Sequence, residues 1–458
     1  MVLATLHRSV LAGISRPPPS ISLARRMLWY ANMGEGGVVG HLPDHPDMQL
    51  IMDMGREMGA EGVLENGVAD IFGPHVPYPP DSLSCKGNAT LSRLLLPLSL
   101  LTLQPAHLTH LRLPASSSKW IDRAAASIGV RAVKTTSGID VSGTPDTGVL
   151  EFRDRAGAFW APGVMMAAPL GDFPITMVLD EFTSRQPSFR LTLASLEKMR
   201  MDFTWEELEP TLTLFPGQTY PELNVEVEAD WRTGSYLLGA LLLAGRGAAV
   251  LPRESVQAER AFWLGLETDG LVRWNEAEDA IWAQAGETIS LPSSLDLRSW
   301  PALIPLALVL ATQASAPVRI EPLFPLSPRS RYRLVFMAQQ LAQIGASVQI
   351  EETYVQITPG PLAGGEVSSG GDARIAMALA LAGLISKNPV LLSGAESATH
   401  AYPAFWESFK SLGAVVELDF SKAPALTPAN VDDASPPENS GGEENVSGEG
   451  KIPEEGKP

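Results

Sequence analysis

The sequence predicts an α/β (α+β) fold of two domains, built from six βαβαββ-type units with three units per domain. Three observations carry that expectation. One local pattern recurs six times at intervals of about 70 residues, six intervening segments read as helices apolar on every side, and the composition changes abruptly after Ser421.

The recurring pattern is an amphipathic helix, a glycine-type stop and a short β-branched strand. It runs Met52…Met58-Gly59-Ala60-Glu61-Gly62-Val63, then Ile121…Ile128-Gly129-Val130, then Leu193…Met199-Arg200-Met201, where arginine replaces the glycine. Three further copies are Phe262…Asp269-Gly270-Leu271-Val272, Leu334…Ile344-Gly345-Ala346-Ser347-Val348 and Phe405…Leu412-Gly413-Ala414-Val415-Val416. The stop supplies a left-handed residue that ends the helix and releases the strand. Between the copies, 25–33, 90–103, 160–168, 233–244, 300–311 and 374–385 carry no polar face and are expected to be buried.

Pro17-Pro18-Pro19 and 227–230 are the expected crossings between halves, and 1–15 reads as a first strand, not a signal peptide. The expected division is residues 1–16 plus 229–421 in one domain and 17–228 in the other. From Lys422 the chain is Pro, Gly, Ser, Glu and Asn with little apolar content, so 422–458 is expected to be a disordered acidic tail.

Charge narrows the function. The 458 residues carry a net charge of −18 and 45% apolar residues. That excess of acid opposes nucleic acid, whose phosphates need a basic face. No apolar run is long enough to span a membrane. A single cysteine, Cys85, rules out an internal disulfide or a multi-cysteine metal site and fits a reducing, cytoplasmic setting. An anion would have to be held by local arginines. Arg374 stands at the mouth of an Ala-rich helix beside Asp372, where guanidinium and helix N-terminus reinforce each other.

Gly371-Asp372-Ala373-Arg374-Ile375-Ala376-Met377-Ala378, followed by Ala401-Tyr402-Pro403-Ala404-Phe405, resembles the D-H-R-I-A-M-A … F/Y-P-D-F signature of the 5-enolpyruvylshikimate-3-phosphate (EPSP) synthase family. Gly87-Asn88-Ala89-Thr90-Leu91-Ser92-Arg93 is similar to its G-N-A/S-G-T-x-x-R, and Val227-Glu228-Ala229-Asp230…Ser235-Tyr236 to its interdomain V-E-G-D-x-S-S-A-S-Y. The resemblance covers about Val2 to Phe420. It implies an inverted two-domain barrel that closes over phosphoenolpyruvate and shikimate 3-phosphate in aromatic amino acid biosynthesis.

The reactive positions depart from the family. Pro17…Ser20-Ile21-Ser22-Leu23-Ala24-Arg25 aligns with P-G-S-K-S-I-S-N-R, so the lysine for phosphoenolpyruvate is Ser20 while the shikimate arginine persists as Arg25. The Ser-Ser-Gln that holds shikimate phosphate becomes Gly157-Ala158-Phe159, and the arginine expected near 114–118 is missing. The proton-handling aspartate falls at Ser299. The K-E-T-D-R loop reads Arg329-Ser330-Arg331-Tyr332-Arg333, the final lysine is His400, and the histidine of D-H-R is Ala373.

By this resemblance Arg25, Arg93, Arg333, Asp372 and Arg374 are the substrate-binding candidates. Ser20, Ser299, Ser330 and His400 occupy catalytic or binding positions without the family's side chains. The alternative for the arginines is salt bridging to acidic neighbours such as Asp372. His41, Asp44, His45 and Asp47 have metal-type spacing but sit in a loop that the family uses structurally. Cys85 reads as packing, as do Trp29, Trp160, Trp231 and Trp300; the alternative for Phe159 and Trp160 is filling of the emptied shikimate pocket. No cofactor or metal is expected. A monomer that takes a phosphoenolpyruvate-like anion is the expectation, either as an altered enolpyruvyl transferase or as a non-catalytic anion-binding or protein-interaction module.

Overall fold

The computed structural model describes residues 2–74, 77, 80–102, 106–114, 117–146, 148–266, 270–275, 279–321, 323 and 326–421. The tail expected to be disordered, together with Leu103, Ala115, Ser116 and Asp269, lies outside the described residues. In the first half the helices are α1 (Ile21–Met33), α2 (Pro46–Glu57), α3 (Ala89–Thr102), α4 (Ser117–Ser127), α5 (Arg155–Ala167), α6 (Glu181–Ser184) and α7 (Pro187–Lys198). The second half adds α8 (Trp231–Ala244), α9 (Arg260–Leu264), α10 (Ile304–Ala311), α11 (Pro328–Gln343), α12 (Ala373–Ile385), α13 (Ser397–Ala401) and α14 (Phe405–Ser411).

Six four-stranded sheets repeat one order among the described residues. In the second unit Ser82–Ser84 pairs parallel with Ala106–Thr109, which pairs antiparallel with Gly138–Ser142, which pairs antiparallel with Arg131–Lys134. A buried helix joins the parallel pair and a surface helix follows, giving the βαβαββ unit. α1, α3 and α5 pack in one apolar core, and α8, α10 and α12 in another. Helices without a polar face have nowhere else to go, so the sheets form the outer layer.

The chain passes between the two halves at their junction. The expected single first strand is two, Leu3–Leu6 and Leu11–Ser15. His7–Val10 interrupts it because the pieces join different sheets: the first lies between Val390–Ser393 and Val416–Asp419, the second runs parallel to Gly245–Ala249. Leu223–Glu226, the last strand of the first half, runs parallel to Gly36–Gly40 and closes that half's first sheet. The crossings pair with each other. Ser20 N–H donates to the Glu228 carbonyl at 2.9 Å, and Asp230 N–H to the Pro18 carbonyl at 2.7 Å.

Close helix packing depends on glycine at one point above all. A Cβ on Gly163 of α5 would run into the Arg93 carbonyl of α3, so glycine lets the two backbones touch. Each stop of the sixfold rhythm is left-handed, with φ of 96° at Gly59, 76° at Gly129, 70° at Gly270, 96° at Gly345 and 106° at Gly413. Arg200 adopts the same conformation at φ 57° without a glycine's freedom. Left-handed non-glycine residues cost about 1–3 kcal/mol, partly offset by the greater chain entropy of glycine. Arg200→Gly is therefore expected to raise the melting temperature by about 1–3 °C. A calorimetric scan in which it falls would refute the strain at this stop.

Candidate functional site

Asp372 organises the start of α12. Gly370 and Gly371, both left-handed, turn the chain into it. Its Oδ1 accepts the Arg374 and Ile375 amides at 2.9 and 3.4 Å, capping the helix. Its Oδ2 accepts Arg333 Nε at 2.8 Å and lies 3.5 Å from Arg329 Nε. Burial opposes ionisation of this carboxyl, but Arg333, Arg374 and Arg329 outweigh it and hold it below the ordinary carboxylate range.

Arg374 is half-buried and has a different environment. Desolvation, then the like charges of Arg333 and Arg232, depress its pKa, and Asp372 and Tyr236 only partly compensate. Among the described residues its guanidinium makes no hydrogen bond or salt bridge to a carboxylate. A guanidinium flanked by two others is a place where an anion gains on every side.

The candidates of the first half form a separate group. Arg25 Nη2 lies 2.6 Å from Asp47 Oδ2, and buried Asp47 also accepts Asn88 Nδ2 at 2.9 Å and Thr90 Oγ1 at 3.1 Å. Arg93 lies over the Phe159 ring, 4.4 Å from its centroid. Arg26, which the sequence reading passed over, is fully enclosed and donates to Thr192 Oγ1 and to the Ser22 and Ser188 carbonyls. Burial, then Arg93, Arg232 and Arg25, overcome the opposing influence of Tyr30 and lower its pKa to about 10.

Arg232 joins the two groups, being within electrostatic reach of both Arg26 and Arg374. From α8 it donates to Ser22 Oγ of α1 at 2.8 Å and to Asp230 Oδ2 at 3.2 Å. Its Nε lies 3.9 Å from Glu259. Glu259 is buried, its Oε1 has no hydrogen-bond partner, and burial raises its pKa against the pull of Arg232 and Arg374. Sequence reasoning missed both residues. Arg232 stands inside the quoted interdomain segment, a signal that was available; nothing in the sequence singles out Glu259.

The substituted positions are absorbed into the fold. Ser20 is fully buried at the start of α1, with Oγ unpartnered. Ser330 is buried in the cap of α11, its Oγ 2.8 Å from Ser327 Oγ. Ser299 is half-buried in a turn, and His400 is exposed in α13. Phe159 does face Arg93. Trp160 does not fill the same space, because it is core, stacked on Trp120 at 5.5 Å. His41 Nδ1 reaches the Val227 carbonyl and His45 accepts the Asp47 amide, so these loop residues hold the backbone. Cys85 is buried, and desolvation pushes its thiol up to about 11.

Six βαβαββ units around two helical cores, with arginines gathered where the cores meet, define an enolpyruvyl-transferase type of scaffold. The model of the EPSP synthase (3-phosphoshikimate 1-carboxyvinyltransferase) family matches residues 7–409, and the chain belongs to that family. Among similar proteins is the 3-phosphoshikimate 1-carboxyvinyltransferase of Methanospirillum hungatei, 24% identical over 86% of this chain and 94% of its own length. The Aeropyrum pernix enzyme of the same name is 27% identical over 90% of this chain and 96% of its own. Two solved structures share the fold, each at 18% identity and covering 91% of this chain and 99% of theirs. They are EPSP synthase from Acinetobacter baumannii, at TM-score 0.73, and the enolpyruvyl transferase NikO from Streptomyces tendae, at 0.66.

Asp372→Asn tests the charge pair with the cap retained, since asparagine also caps helices. Stranding Arg333 is expected to cost about 3 kcal/mol at pH 7. A depressed carboxyl pKa stabilises the fold above its unfolded value, near 3.8, and that stability is lost as pH falls through the folded value. The gap between wild type and variant in denaturant melts should therefore close below about pH 4. A gap independent of pH would mean the pair is not ionic.

Proposed function

We propose that this chain is an EPSP-synthase-type clamp that binds a phosphoenolpyruvate-like anion through Arg374 and Arg333, with impaired or altered enolpyruvyl transfer to shikimate 3-phosphate. The observation that carries this reading is Arg374, half-buried within electrostatic reach of Arg333 and Arg232 and with no carboxylate hydrogen bond or salt bridge of its own among the described residues. Its two halves are proposed as domains of residues 17–228 and 1–16 plus 229–421, a division supported by the two separate apolar cores and the paired crossings. A cytoplasmic monomer is the accompanying proposal.

Transfer requires a group to protonate the methylene carbon of phosphoenolpyruvate, another to take the acceptor hydroxyl proton, and a later reversal. A positioned acid or base is worth about 10²–10⁴ in rate. The positions where the family would supply them hold Ser299 and Ser330, and the cleft lysines are Ser20 and His400. A second reading, a non-catalytic anion-binding or protein-interaction module, is favoured by one observation: Phe159 lies on Arg93 where a shikimate phosphate would need polar partners.

Phosphate release from phosphoenolpyruvate and shikimate 3-phosphate, with calorimetry for each ligand, separates these readings. Phosphoenolpyruvate binding with turnover at least about 10²-fold below an active family member supports impaired transfer. Binding with no turnover favours the module, and full turnover would overturn both. Arg374→Ala is expected to abolish phosphoenolpyruvate binding while shifting the melting temperature by no more than about 2 °C, because no ion pair is lost. Unchanged binding would remove the observation on which this reading stands.

A further inference from the structure

Two openings, one within the first half and one between the halves, meet at Arg155, the first residue of α5. One, of about 870 Å³, is bordered by Ser118, Lys119, Asp122 and Arg123 of α4, with Asp154 and Arg155. The other, of about 360 Å³, runs from Arg155 to α11 of the second half, where Arg331, Tyr332, Val335 and Phe336 face it. Together they offer four cationic side chains, Lys119, Arg123, Arg155 and Arg331, against two acidic ones. Asp154 and Arg123 offset each other, since Asp154 Oδ1 accepts the Gly157 amide at 2.7 Å and Oδ2 accepts Arg123 Nη2 at 2.7 Å; the remaining cations still outnumber Asp122. A net positive opening in a chain of net charge −18 is a local feature, not an average one.

The wall beside that charge is apolar and flat. Tyr332 and Phe336, one turn apart on α11, stack with centroids 5.1 Å apart and planes 21° apart, and both remain half-buried. Leu326 and Val335 extend the same wall. Gln339 is the one amide on this lining; the aromatic pair with Leu326 and Val335 suits a planar apolar body better than a ring of hydroxyls. Arg93 lies over the Phe159 ring, which leaves Arg155, at the start of the same helix, as the exposed cation beside Gly157-Ala158-Phe159.

We propose that the second ligand of the clamp is a small anion carrying a planar apolar ring system, in place of a phosphorylated polyol. Its charge lies at Arg155 between Lys119 and Arg331, and its ring lies against Tyr332 and Phe336. The inference rests on the proposed clamp, with phosphoenolpyruvate held separately at Arg374. It names the acceptor class for that same cleft.

Calorimetry on the full chain with 1-naphthyl phosphate, shikimate 3-phosphate and inorganic phosphate, at one salt concentration, tests it. The naphthyl ester is expected to bind at least about tenfold more tightly than either of the others. Arg155→Gln, at an exposed position, should weaken 1-naphthyl phosphate and inorganic phosphate together by at least about tenfold. Phe336→Ala should erase the preference for the ring while leaving inorganic phosphate unchanged; melting curves verify that both variants fold. Equal or weaker binding of the naphthyl ester, or tight binding that neither variant alters, overturns the proposal. A parallel phosphoenolpyruvate titration keeps the two readings apart. Loss of phosphoenolpyruvate binding alone would sink the clamp at Arg374, whereas loss of the naphthyl preference alone would sink only the acceptor class.

Discussion

The carboxylate of Asp372 is the point on which the second half's cationic group depends. It is buried, and a buried charge persists only where partners repay its lost hydration. Two backbone amides of α12 and two arginines of α11 do so. The bonds have a direction. Capping fixes the entry angle of a fully apolar helix, and the pair with Arg333 fixes α11 relative to it. Arg374, two residues on, is then carried by the backbone to a position where, among the described residues, no carboxylate hydrogen-bonds or bridges it, although Asp372 and Glu259 lie within electrostatic reach. One acidic side chain thus holds two guanidiniums and leaves a third facing the junction.

The first half solves the same problem with Asp47. It anchors Arg25 and, through Asn88 and Thr90, fixes the start of α3. Asn88 in turn caps that helix, accepting the Thr90 and Leu91 amides. Each half therefore uses a buried carboxylate to tie an arginine to the mouth of a buried helix. Arg232 is the member that senses both groups, and its bond to Ser22 crosses from one half to the other. In an acidic protein this is how positive potential is concentrated: not by composition, but by gathering more guanidiniums than carboxylates at one junction.

The architecture was largely legible because it is written in periodic features. The six stops and six faceless helices follow from burial and from left-handed turns, which are local rules. Even Arg200, which breaks the glycine pattern, takes the left-handed conformation. The division of the first strand was not legible, since Leu3–Leu6 and Leu11–Ser15 choose their sheets through contacts with residues hundreds of positions away. The site was readable only as far as motif letters reach. Arg333 and Arg374 do come together around Asp372, but Arg25 answers to Asp47 and Arg93 to Phe159. Glu259 precedes a helix of five residues with no pattern around it, and its importance comes from burial alone.

The substitutions at reactive positions are coupled to this packing and are not isolated losses. Ser20, where a lysine is expected, lines a cavity of about 50 Å³ with Ser22, Arg232, Gln257 and Glu259. Its hydroxyl and the Glu259 Oε1 are both buried without partners. An ammonium introduced there would compete with Arg232 for the Glu259 carboxylate in the same space. Burial raises the pKa of Glu259, and Arg232, 3.9 Å away, with Arg374 only partly offsets it. Ser330 has likewise been drawn into the α11 cap with Ser327, and Phe159 into contact with Arg93. The arginines proposed to hold an anion and the substituted positions Ser20 and Phe159 therefore pack into one junction. Restoring a single family residue would leave its neighbours arranged for the present one.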